Sequence, residues 1–96
     1  MIIKEYEAEK LKDPTGILEG DRYEFFLEID IPEDDELFSE NGVYLKVIFS
    51  VNGTETRIAN YQFFEDTTNK LLDFELEEEE ELLVKTYCEQ HYMNVM

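Results

Sequence analysis

The stretch that decides the fold is residues 43–65, Val43-Tyr44-Leu45-Lys46-Val47-Ile48-Phe49-Ser50-Val51-Asn52-Gly53-Thr54-Glu55-Thr56-Arg57-Ile58-Ala59-Asn60-Tyr61-Gln62-Phe63-Phe64-Glu65. Val43, Leu45, Val47, Phe49 and Val51 recur at period two, the spacing of one face of a β-strand. Asn52-Gly53 follows. Both central residues of a type I′ turn take φ > 0, so this dipeptide predicts a two-residue loop that pairs Val51 with Thr54. In that register Val47 faces Ile58 and Leu45 faces Asn60, which strands Tyr61 and Phe63 on the polar side. One extra residue near Ala59-Asn60 returns them inward, Tyr61 opposite Leu45 and Phe63 opposite Val43, so a β-bulge is predicted there.

Upstream, residues 22–31 form a second strand. Tyr23, Phe25, Leu27, Ile29 and Ile31 occupy one face, while Arg22, Glu24, Glu28 and Asp30 occupy the other with Phe26 as the apolar exception. Pro32 ends the ladder because it has no N–H to donate. A strand with a weaker pattern (Ile2, Tyr6, Ala8) spans residues 2–11, followed by a type I turn at Asp13-Pro14-Thr15-Gly16 and a second turn at Glu19-Gly20-Asp21. Downstream, Leu72, Phe74 and Leu76 alternate as a short strand would. Residues 77–93 read as a helix. Its glutamates gather where the N-terminal end of the dipole favours negative charge, and Leu83, Val84, Tyr87, Cys88 and His91 make an apolar stripe. The expected fold is α+β: one domain over residues 1–96, a four- to five-stranded antiparallel meander covered by one C-terminal amphipathic helix.

Charge then bounds function. The 96 residues hold 25 Asp and Glu against 8 Lys and Arg, a net charge of −17. Such a chain repels the phosphates of nucleic acids and of anionic membranes, so neither is expected as a direct partner. With 43% hydrophobic residues it is nonetheless too apolar for a disordered acidic segment. The charged start Met1-Ile2-Ile3-Lys4-Glu5 does not suit a signal peptide, and a lone Cys88 cannot close an intramolecular disulfide, which together imply a cytoplasmic protein.

The charge is also uneven. Glu28, Asp30, Glu33, Asp34, Asp35, Glu36 and Glu40 form one block without a base, and residues 73–81 form a second (Asp73, Glu75, Glu77, Glu78, Glu79, Glu80, Glu81). Charge runs usually mark solvated faces that maintain solubility. The functional alternative is an acidic docking face for a basic protein, including one whose carboxylates imitate phosphates and occupy a nucleic-acid-binding protein. The two blocks lie on either side of a near-neutral hairpin, and if they meet in space the docking reading gains.

Catalytic and metal signals are weak. The acidic loop lacks EF-hand spacing, because counting from Asp30 position six is Asp35 rather than glycine and position twelve is Asn41 rather than glutamate. Cys88 and His91 could offer two metal ligands on one helical face, but no other Cys or His exists to complete a zinc site. The same pair as a nucleophile would sit beside Glu89, which disfavours a thiolate. The four glycines stand apart, so no phosphate-binding loop or nucleophile elbow occurs, and neither an enzyme nor a cofactor is expected. A small-ligand site would instead show itself as a pocket lined by Tyr44, Tyr61 or His91.

Two Phe-Phe pairs remain. One member of each must point away from the core, and alternation selects Phe26 and Phe64. Covered by the helix or the first strand they are structural; left open they mark a partner or homodimer surface. Partner binding is accordingly assigned to the first acidic block together with Phe26 and Phe64.

The residues Glu9-Lys10-Leu11-Lys12-Asp13-Pro14-Thr15-Gly16-Ile17-Leu18, then Gly20-Asp21-Arg22-Tyr23-Glu24-Phe25-Phe26, resemble a family of small acidic proteins of spore-forming Gram-positive bacteria. The similarity continues through Pro32-Glu33-Asp34-Asp35-Glu36-Leu37 and Ile58-Ala59. It implies a bacterial cytoplasmic setting. It carries over no site, ligand or activity.

Overall fold

Strands β1 (Ile2–Leu11), β2 (Asp21–Asp30), β3 (Val43–Asn52), β4 (Glu55–Glu65) and β5 (Leu71–Leu72) pair in sequence order in one antiparallel sheet. This is the expected meander, seen in a computed structural model that describes residues 1–12 and 20–95. The turn expected at Asp13-Pro14-Thr15-Gly16 lies outside the described residues. Helix α1 (Glu78–His91) follows β5 and closes in a short 3-10 turn, Tyr92–Asn94, so the expected helix end at Met93 is in fact this tighter turn.

The sheet has two unlike faces. On one, Phe25, Leu27, Val43, Leu45, Val47, Phe49 and Phe63 are almost wholly buried, in one cluster with Val84 and Cys88 of α1. The helix stripe is narrower than expected. Leu83 is 42% exposed, and His91 and Tyr87 are half-buried against Tyr6 of β1. The 3-10 turn extends the cover, with Tyr92 packed on both Tyr23 and Phe49.

The bulge falls where it was expected, with Ala59 as the extra residue between the Ile48–Asn60 and Phe49–Ile58 pairs. The pairing around it is displaced by two residues. Asn52 pairs with Glu55, so the loop is Gly53-Thr54, and Tyr61 and Phe63 lie opposite Val47 and Leu45. The reason is local. Gly53 alone of the loop residues takes positive φ (+64°), which is the sign pattern of a II′ turn with glycine at its first central position, not of I′. A shift of two preserves the faces, so Tyr61 and Phe63 still point inward.

An unforeseen second bulge at Lys4 lies between the Ile3–Ile29 and Glu5–Glu28 pairs. It changes the parity of β1. Ile3, rather than Ile2, joins Tyr6 and Ala8 against the core, and Ile2 is 62% exposed. β5 is also shorter than the alternation of Leu72, Phe74 and Leu76 suggested. Only Leu71 and Leu72 pair, and Leu76 is buried by another route described below.

Candidate functional site

The two acidic blocks meet. Residues 32–42, between β2 and β3, fold on themselves: Asp35 N–H donates to the Pro32 carbonyl (3.0 Å), Phe38 N–H to the Asp35 carbonyl (3.0 Å) and Leu37 N–H to Asp35 Oδ1 (2.9 Å). The side-chain bond is an Asx turn, and it presents Leu37 as a buried plug. The far end of the loop is fastened to β4, since Ser39 Oγ donates to Glu65 Oε2 (2.7 Å). Thr68 Oγ1 donates to the other oxygen (2.7 Å), and these hydroxyls hold the Glu65 carboxyl below its ordinary pKa.

The second block is placed as firmly. Leu76 is buried, and its N–H donates to the Tyr61 hydroxyl at 3.0 Å, which pins the chain before α1 to the bulged strand. Glu77 and Glu80 then form a capping box, with Glu77 N–H donating to the Glu80 carboxylate (3.0 Å). Between the two anchored segments runs a groove of about 470 Å³. Asp35 and Glu36 of the first block and Glu75, Glu77 and Glu80 of the second line it, over a floor that includes Ile31, Leu37, Phe63 and Phe74. Among the described residues no lysine or arginine lines it.

The expected partner-binding residues therefore divide. Asp35 and Glu36 reach the groove, whereas Glu33, Asp34 and Glu40 are exposed on the same loop and do not line it. Glu28 and Asp30 belong to the opposite face of the sheet by alternation, together with Phe26 and Phe64. Neither of these phenylalanines is covered by helix α1. Instead they lean on Tyr44, Phe26 edge-on with ring centroids 6.0 Å apart and Phe64 stacked at 5.2 Å, and so remain half-buried.

Sequence reasoning missed the carboxyls that join Glu28 there. Glu5, Glu7 and Asp66 line a cleft of about 450 Å³ with Phe26, Glu28 and Tyr44. Asp66 arrives from the turn after β4, where its N–H donates to the Gly42 carbonyl (3.0 Å). Burial, and then the adjacent Asp66 carboxyl, raise the pKa of Glu28 to about 7. The two strand patterns put both Glu28 and Tyr44 on the less apolar face, but neither their direct pairing nor the arrival of Asp66 had a signal in the sequence.

Tyr44, Tyr61 and His91 do not converge. Tyr44 faces the cleft with its hydroxyl donating to Asn69 Oδ1 (3.0 Å), and Tyr61 is engaged by Leu76. His91 packs between Tyr6 and Tyr87 with Nδ1 buried and without a hydrogen-bond partner. Cys88 is fully buried, and burial and then Glu89 push its thiol up to about 12. Among the described residues, no group of three or more His, Cys, Asp or Glu is arranged to hold a metal ion, and no helix is long and apolar enough to cross a membrane.

Fold and surface together define a small α+β meander domain with a closed apolar face and an acidic groove at one end. The chain belongs to the Family of unknown function (DUF6509), which matches residues 1–95. No curated protein and no solved structure matches it.

Proposed function

We propose that this chain is a non-enzymatic interaction protein that engages a basic protein partner through the acidic groove, in a bacterial cytoplasm. One observation carries the reading: acids from two blocks some forty residues apart in sequence line a single groove, with no lysine or arginine among the described residues that line it. Charge serving solubility alone has no need to converge, and it repels itself where it does. Both segments are held by buried anchors, Leu37 and Leu76, so the carboxylates are presented by a rigid frame. An apolar floor adds an element that a solvated charge run lacks. A basic partner would be steered in quickly and released by salt, and fixed carboxylates of this kind could stand in for phosphates in a nucleic-acid-binding partner.

The test is retention of basic proteins from lysate on the immobilised chain at low and at high salt. Retention at low salt, loss at high salt, and loss in the double variant Glu36→Gln, Glu75→Gln are expected. A control variant, Glu9→Gln with Glu55→Gln, removes the same charge elsewhere and should retain them. Equal behaviour of the two variants would mean that total charge, not the groove, does the binding.

A further inference from the structure

The other face of the sheet is not built like a solvated one. Among the described residues no helix or strand lies over it, yet it carries a diagonal of aromatic rings across three adjacent strands, Phe26 on β2, Tyr44 on β3 and Phe64 on β4. The stacking of Tyr44 on Phe64 and the edge contact with Phe26 hold these rings in place, so they offer area at little cost in side-chain entropy.

The charge on this face is lopsided. Beyond Phe26, Lys46 Nζ lies 3.6 Å from Glu24, so that region is compensated. On the other side, Glu5, Glu7, Glu28 and Asp66 border the rings, and none takes part in either of the ion pairs found among the described residues, Lys10–Asp21 and Lys46–Glu24. Among the described residues Lys4 is the one cation that acts on Glu28, and its effect is outweighed there by burial and by Asp66. Gly42 makes the crowding possible. Its φ of +89° suits glycine, and a Cβ at that position would stand 2.7 Å from Asp66 Oδ2. The chain thus keeps uncompensated carboxyls beside a fixed aromatic wall.

We propose that this open face docks a basic amphipathic segment of the partner, its apolar side lying along Phe26, Tyr44 and Phe64 and its lysines or arginines entering the cleft of Glu5, Glu7, Glu28 and Asp66. The proposal rests on the reading above that the partner is a basic protein, and it adds a second contact on the far side of the sheet from the groove. Charge complementarity selects the occupant. A second copy of a chain with net charge −17 would set these carboxyls against one another, and an anionic bilayer would be repelled in the same way. Aromatic faces beside carboxylates suit an alkylammonium or guanidinium group, which gains from both the ring quadrupole and the charge.

The experiment is a backbone-amide NMR titration of the whole chain with a synthetic lysine–leucine peptide of amphipathic helical pattern, and with an oligolysine of equal charge. The amphipathic peptide is expected to shift the amides of Phe26, Glu28, Tyr44 and Phe64, and to bind at least about tenfold more tightly than oligolysine. Phe64→Ser is expected to remove that preference while leaving oligolysine binding unchanged. Shifts confined to residues 32–37 and 74–80 would overturn the open-face site and leave the groove reading standing. No shift anywhere at low salt would overturn both. Sedimentation of the free chain as a dimer that Phe64→Ser dissociates would also overturn the proposal, because the face would then belong to a second copy.

Discussion

The two faces of one sheet are made by the same strands, residue by alternate residue, yet they differ in kind. Phe49 on the helix-covered face is wholly buried between Phe25 and Tyr92, whereas Phe64 on the open face is half-buried and meets Tyr44. The covered face is apolar throughout its centre. The open one mixes aromatics with acids. The open rings bury one another only in part, and the docking proposed above gives the remaining apolar area a partner.

The largest effect that tests this contrast is Phe49→Ala, which should destabilise by about 3–5 kcal/mol in urea denaturation, as truncations in a closed core do. Gly42→Ala comes next, at about 1–2 kcal/mol, because it forces a side chain into left-handed backbone and against Asp66. Phe64→Ser should cost about 1 kcal/mol or less. A loss at Phe64 equal to that at Phe49 would break the contrast and make the open face part of the core.

The smallest effect is electrostatic. The folded chain holds Glu28 protonated up to about pH 7, above its ordinary value of 4.5. Between those values the folded state binds more protons than the unfolded state, so this group favours folding at low pH and that contribution is lost as pH rises through about 7. Wild type should therefore lose stability relative to Glu28→Gln across that window. A Glu28 side-chain carboxyl that titrates near 4.5 by NMR would remove the uncompensated cleft from the account.

Much of this was legible in the chain. The alternations in residues 22–31 and 43–51 assign the buried row of β2 from Tyr23 to Ile29 and that of β3 from Val43 to Phe49, and the need to keep Tyr61 and Phe63 inward locates a bulge near Ala59-Asn60. The hairpin register was not legible, because Gly53 can serve as the second residue of a I′ turn or the first of a II′ turn. The bulge at Lys4 was hidden too, since Ile2 and Ile3 are adjacent and either can face inward. Both acidic blocks could be read as blocks. Their meeting could not, because it depends on contacts distant in sequence, Ser39 with Glu65 and Leu76 with Tyr61. Local pattern reports which face a residue occupies, and only the tertiary anchors report which loops become neighbours.

The central claim is that the convergent acids form a docking surface. Its most direct test is amide hydrogen exchange across the chain, free and bound to a basic protein retained at low salt. Slower exchange in residues 32–37 and 74–80 on binding is the predicted result. Slowing confined to the outward side of α1 around Leu82 and Leu83, with the groove segments unchanged, would contradict it.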